Sequence, residues 1–218
     1  MYIEKNQEIH LKSRPVGLPA AEDFNLVSTP ISILKDGEVL VKNRWMSVDP
    51  YMRGRMIERD SYIAPFAINE VLDGGAIGEV VESNNPAFMV GSKVSSMNGW
   101  RQYFTTTGED LQALPETGIS EEAFLGVLGM PGMTAFTGLT KIAELKPNDR
   151  VFVSAASGAV GAIVCQIAKL KGCYVAGSVG SDAKARYLME ELGVDAVVNY
   201  KTTDNLQQDI AIACPEGI

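Results

Sequence analysis

The chain has 218 residues, 27 of them acidic and 19 basic, for a net charge of −8, and 46% of its residues are hydrophobic. A pI near 4.8 without a lysine or arginine block lacks the electrostatic footprint that a phosphate backbone requires, so nucleic acid is not an expected partner. One histidine, His10, and three cysteines without a Cys-x-x-Cys pair fall short of the ligand sets that zinc takes, and no metal is expected.

The first twenty residues carry charges and no apolar core, which is not the build of a secretory signal, so the expected location is cytoplasmic. Up to residue 122 the sequence is a series of short β-like runs at 38–42, 76–81, 93–96 and 102–106. Between them stand the turn formers Asp36-Gly37, Asp73-Gly74-Gly75, Val90-Gly91-Ser92 and Asn98-Gly99. Short strands at this spacing predict a small barrel or sandwich, with Val39, Val41, Val80, Val81 and Val94 in its core.

From residue 123 the pattern changes. Residues 123–140 and 151–168 contain no charged side chain, a length that hydropathy alone would offer as a membrane span. Glycines and hydroxyls interrupt both, and Pro131 the first, so they are read as soluble core and no membrane partner is expected. Residues 150–155 form a short apolar strand, and Val160, Ile163, Val164, Ile167 and Leu170 then recur at helical spacing. Residues 173–178 return to strand. Ser181 is placed to cap a helix with Ala185, Leu188, Met189 and Leu192 on its apolar face, ended by Gly193. A strand at 196–198 and a helix marked by Leu206, Ile210 and Ala213 complete a βαβαβα order, which predicts an α/β unit with a parallel sheet and right-handed crossovers. Cys165, Cys173 and Cys214 have no scaffold spacing and read as reduced, mostly buried residues.

Residues 151–161 carry the chemistry. They have the spacing of a dinucleotide-binding turn, with Ala155 in the place of the first glycine, then Gly158 and Gly161. Small residues let the chain turn out of a strand, let backbone approach a pyrophosphate, and let the helix pack close to the sheet; the helix N-terminus supplies free N–H groups and a positive dipole end. The competing readings are a tight turn that binds nothing and a site for another nucleotide-like ligand such as S-adenosylmethionine. The position of the turn between a strand and an amphipathic helix favours a dinucleotide. At the end of the second strand a carboxylate would select NAD, but Gly177-Ser178-Val179-Gly180 offers none, and Lys184 follows. NADPH is therefore the expected cofactor. Asp182 competes as a ribose ligand, though the helix dipole also explains an acid there.

Several of these segments match a family. Residues 14–19 (Arg-Pro-Val-Gly-Leu-Pro) with Asp23-Phe24, residues 46–56 (Met-Ser-Val-Asp-Pro-Tyr-Met-Arg-Gly-Arg-Met), residues 128–136 (Leu-Gly-Met-Pro-Gly-Met-Thr-Ala-Phe), residues 155–171 running into Gly180-Ser181-Asp182-Ala183-Lys184, and Asn199-Tyr200-Lys201 resemble the zinc-independent medium-chain dehydrogenases/reductases. Within them the match is to the prostaglandin reductase, alkenal double-bond reductase and curcumin reductase group. The resemblance implies a GroES-like β-barrel substrate domain over 1–122, followed by the first half of a Rossmann domain over 123–218, and a C-terminally truncated chain. Where zinc-dependent relatives carry Gly-His-Glu, this chain has Asp73-Gly74-Gly75. By the same resemblance Gly158, Ala159, Val160 and Gly161 line the pyrophosphate, and Lys184 and Tyr200 hold the adenosine 2′-phosphate.

The resemblance further implies NADPH-dependent reduction of a carbon–carbon double bond conjugated to a carbonyl, on a small-molecule substrate, with a homodimer in the full-length form. A quinone reductase of the same superfamily and a non-catalytic nucleotide-binding remnant are the alternatives. Tyr51 is the candidate catalytic group, because a phenol can donate to a developing enolate while neutral; the competing reading packs it behind Pro50 with its hydroxyl bonded to backbone. Arg53 and Arg55 follow at strand-like spacing; a place near the substrate mouth is open to them, and a solvated surface is the preferred reading. Met130 and Thr134 are candidates to flank the nicotinamide, with core as the competing reading for Met130. With half of a doubly wound sheet, residues 151–153 form an exposed apolar edge. The chain as it stands is therefore expected to be poorly soluble and without turnover.

Overall fold

In the computed structural model, which describes residues 5–218, the turn-rich first half of the chain forms antiparallel strands and the second half alternates strands and helices. Two units result, Met1–Leu125 and Gly126–Ile218. In the first, β1 (Lys5–Leu11) and β2 (Phe24–Pro30) make an antiparallel ribbon with Leu11 opposite Phe24. Then come β3 (Val39–Met46), the short helix α1 (Pro50–Arg55), β4 (Ala76–Ser83), β5 (Lys93–Ser96), β6 (Tyr103–Thr106) and β7 (Gln112–Ala113). The five strands order as β6-β3-β4-β5-β7 with every pair antiparallel. The ribbon joins the sheet through Ile9 N to Trp100 O at 2.8 Å and Gln102 N to Gln7 O at 2.9 Å, which gives the barrel-like, GroES-type domain.

Val39, Val41, Val80, Val94 and Phe104 form the sheet's core, each such side chain worth about 1.5–3 kcal/mol of burial. Val81 departs from the expectation. It is half-buried because neighbouring strand residues face opposite sides and Val80 takes the inner one. The ribbon has no hydrophobic alternation in its sequence. Its inward residue Asn6 is polar and buried, donating to Glu8 at 2.9 Å and accepting from Tyr103 N at 2.8 Å.

The second unit holds α2 (Met130–Thr137), β8 (Arg150–Val153), α3 (Ala159–Leu170), β9 (Tyr174–Val179), α4 (Asp182–Arg186), β10 (Ala196–Asn199) and α5 (Leu206–Ala213). Its sheet is parallel in the order β10-β9-β8, with Val151 opposite Val175 and Val197 opposite Gly177. This is the opening half of a Rossmann fold, with β8 and β10 as its edge strands. Val153, Ala156, Cys165, Val175, Val179 and Leu188 pack in the core. Ser181 caps α4 by accepting from Lys184 N, the helix widens into a π-type turn over Tyr187–Glu191, and Gly193 at φ 67° ends it. All three cysteines are unpaired and buried. Among the described residues no helix is long and apolar enough to cross a membrane.

Candidate functional site

Ala155 leaves β8 in the left-handed region, at φ 48°, where glycine is favoured and alanine costs about 1–2 kcal/mol. The turn is pinned from both sides: Ala156 N donates to Ser178 O at 3.0 Å, and Gly158 N to Ala155 O at 2.8 Å. A methyl group on Gly161 would overlap the Ala155 carbonyl oxygen and stand 2.9 Å from Ala156 Cα, and one on Gly158 would stand 3.1 Å from that oxygen. Gly177 clears the other side, where a methyl group would meet Ala156 Cβ at 2.7 Å. Gly158 is the N-cap of α3 and makes no side-chain cap. The first helical bond to it runs from Ala162 N to Gly158 O at 2.9 Å, so the N–H groups of Ala159, Val160 and Gly161 precede the helix ladder. The arrangement is a backbone anion cradle over a twelve-residue helix, and it fits a pyrophosphate.

The ends of β9 and β10 lie side by side, with Asn199 opposite Val179. A methyl group on Gly180 would meet the Tyr200 hydroxyl at 2.6 Å and Lys201 Cε at 3.4 Å. Tyr200 is half exposed, and Lys184 lies exposed in the first turn of α4. The sole carboxylate between Gly177 and Lys184 is Asp182, and it accepts from Asn199 Nδ2 at 2.7 Å. Two features here carry no motif signal, the Asn199–Asp182 bond and the position of Lys201. The adjacency of residues 199–201 to a strand end is the sequence clue to them.

Tyr51 stands in the first turn of α1, behind Pro50. Its hydroxyl is buried and, among the described residues, has no hydrogen-bond partner, so the backbone-bonded reading does not hold there. Burial pushes the phenol above its ordinary pKa, the Asp49 and Asp73 carboxylates add to the effect, and Arg55 opposes it. The group is therefore neutral at physiological pH. Tyr51 lines a cavity of about 170 Å³ with Gly54, Arg55, Arg59, Tyr62 and Pro65.

Arg53 and Arg55 correct the sequence reading twice: they stand on a helix and are held by the protein rather than by solvent. Arg53 donates to Gly17 O at 2.7 Å and Pro15 O at 3.2 Å. Arg55 is buried, lies 4.0 Å over the Phe66 ring, donates to Ala64 O at 2.9 Å and forks onto both oxygens of Asp73. Pro50 at the helix start was the signal for α1, with Gly54 masking it.

The same fork occupies the first residue of Asp73-Gly74-Gly75. The Asp73 carboxylate is committed to a guanidinium, and His10 contacts Glu8 and Asn69 O. Among the described residues no group of three or more potential ligands is gathered. Met130 is exposed rather than core, and Thr134 Oγ1 donates to Met130 O at 2.7 Å. Gly132 is required where it stands, because a methyl group there would overlap Val127 O.

Two family models match the chain: "N-terminal domain of oxidoreductase" over residues 7–114 and "Zinc-binding dehydrogenase" over residues 159–218. The chain is 42% identical to the NADPH-dependent curcumin reductase of Escherichia coli over 99% of its own length and 62% of the relative's. It is 38% identical to the NADP(+)-dependent 2-alkenal reductase of Nicotiana tabacum, over 98% and 64%. The crystal structure of CurA from Vibrio vulnificus in complex with NADPH superposes with a TM-score of 0.90 at 42% identity, covering 97% of this chain and 63% of that one. The chain thus spans somewhat under two thirds of the length of these relatives.

Proposed function

From the premise that this chain belongs to the medium-chain dehydrogenase/reductase family, in the group of the curcumin, alkenal and prostaglandin reductases, we propose that it supplies the substrate domain and the adenosine half of the cofactor domain of an NADPH-dependent, metal-free enone reductase. The observation that carries this reading is the pairing of a backbone anion cradle at Gly158–Gly161 with a β9 end that lacks a free carboxylate and faces Tyr200 and Lys201. In this reading the N–H groups of Ala159, Val160 and Gly161 receive the pyrophosphate. Lys184 and Tyr200 receive the 2′-phosphate, the lysine by charge and the phenol by donation. When bound, the cofactor supplies a hydride for the β-carbon of an α,β-unsaturated ketone or aldehyde.

The remaining work is positional and electrostatic. Tyr51 holds its proton on Oη, and with no partner among the described residues that proton is unspent for the carbonyl oxygen on which enolate charge develops. Donation without transfer suffices for the hydride step, the raised phenol pKa keeps the donor protonated, and the enolate then takes the proton for its α-carbon from solvent water. Arg55, fixed by Asp73 and Phe66, holds the wall of the cavity that Tyr51 lines. The reading extends to a small-molecule substrate, to the cytoplasm, which three unpaired cysteines suit, and to a homodimer of the full-length form.

Titrating the chain with NADPH and with NADH, followed by nucleotide fluorescence, tests the cofactor assignment, with saturation by NADPH at the lower concentration expected. Supplying the part of the E. coli curcumin reductase that lies beyond the match, then comparing an alkenal with a quinone, tests the reaction. Faster NADPH consumption with the quinone would favour the quinone reductase reading. No consumption with either would favour a binding remnant.

A further inference from the structure

Asp182 poses a problem for the NADPH reading, and the resolution proposed for it rests on that reading. A carboxylate near the end of the second strand accepts from ribose hydroxyls and repels a 2′-phosphate, so it normally marks the opposite cofactor choice. Asp182 is nonetheless favoured at the first position of α4, because an acid there complements the helix dipole.

Asn199 resolves the conflict. It is the last residue of β10, and its side chain is used at both ends. Nδ2 donates to Asp182 Oδ1 at 2.7 Å, and Oδ1 accepts from Lys201 N at 3.1 Å. The first bond draws the carboxylate toward β10 and sets an amide dipole against its charge, and hydrogen bonds to ionised acceptors are the strong ones. The second, with Thr202 N donating to Asn199 O at 3.2 Å and Tyr200 N to Val179 O at 3.0 Å, fixes the turn that lays Tyr200 and Lys201 over Gly180. An aspartate at 199 could still accept from Lys201 N but, ionised, could not donate to Asp182.

We infer that Asn199 is a specificity-determining positioning residue: it clamps the Asp182 carboxylate away from the nucleotide's 2′ position while setting the turn that presents Tyr200 and Lys201 to a 2′-phosphate. The helix keeps its stabilising acid, and the site does not present that acid to the ligand.

The test uses 2′,5′-ADP and 5′-AMP, which carry the adenosine ends of the two cofactors and need no nicotinamide pocket. Their affinities for the chain, carried on a solubilising fusion partner, are measured by calorimetry. The unaltered chain prefers 2′,5′-ADP by about tenfold or more; absence of that preference would defeat the NADPH reading rather than the clamp. Asn199→Ala lowers the preference about threefold to tenfold, and adding Asp182→Asn restores part of it, because the released charge is gone while the turn that Asn199 braced stays loosened. Asp182→Asn alone leaves the preference intact or raises it. General loss of structure would weaken both ligands together, so the ratio isolates the clamp. An unchanged ratio in Asn199→Ala would overturn the inference. So would a double variant no better than the single one, since Asn199 would then act through the turn alone.

Discussion

At the glycine turn every proposed ligand contact is a backbone group: Ala159, Val160 and Gly161 offer N–H, and the side chains matter only by being small enough to let Ala155 O come close. At α1 the backbone is an ordinary helical turn, and the proposed chemistry rests on one phenol held among Asp49, Arg55 and Asp73. The first site tolerates almost no added volume and uses no charged side chain. The second ought to tolerate volume changes at its rim and depend on an ion pair. A backbone site is protected by sterics, a side-chain site by electrostatics, and substitutions of equal size should separate them.

The largest expected effect is at Gly161. Its replacement by alanine puts a methyl group on Ala155 O and costs about 3 kcal/mol, read as a lowered urea midpoint with loss of NADPH binding. Next is Arg55→Ala, which leaves Asp73 without its partner and removes the stack on Phe66; with Asp73 part-exposed, a cost of about 2 kcal/mol is expected. A midpoint shift as small as that of an exposed pair would erase the contrast between the two sites.

Alkaline pH gives a smaller effect. Burial pushes the Cys165 thiol up to about 11, above its unfolded value. Its contribution is therefore complete below the unfolded pKa and is lost as pH rises toward the folded one. Cys165→Ala should lessen the alkaline slope in denaturation midpoints, leaving the part due to Tyr51 and Cys214. Ala155→Gly should stabilise by about 0.5–1 kcal/mol, because it relieves a left-handed alanine; destabilisation would mean the turn is not strained as described.

The smallest stability effect is expected at Tyr51. A buried hydroxyl with no partner contributes nothing when removed, so Tyr51→Phe should leave the midpoint within about 0.5 kcal/mol, against a loss of about 1 kcal/mol for a bonded hydroxyl. The same variant should lower turnover about tenfold to hundredfold in the chain completed with the curcumin reductase segment.

What could be read in the sequence follows the same division. The turn at 154–161, the cap at Ser181 and the stop at Gly193 were legible because they depend on residue size, φ and spacing, which single residues declare. The β1–β2 ribbon was not, because its inward residue is Asn6, satisfied by partners up to 97 residues away and silent in any hydrophobic pattern. The helix α1 was hidden by Gly54 and by two arginines that read as surface until Asp73, Pro15 and Gly17 are brought to them. The missing partner of Tyr51 and the Asn199 clamp are likewise relations between distant residues, and no local pattern contains them.

The central claim is hydride delivery to the β-carbon of a conjugated carbonyl. Its most direct test is product analysis after reaction of the completed chain with an α,β-unsaturated ketone and NADPH deuterated at the transferring position. The account predicts a saturated ketone with deuterium on the β-carbon; an allylic alcohol with deuterium on the former carbonyl carbon would contradict it.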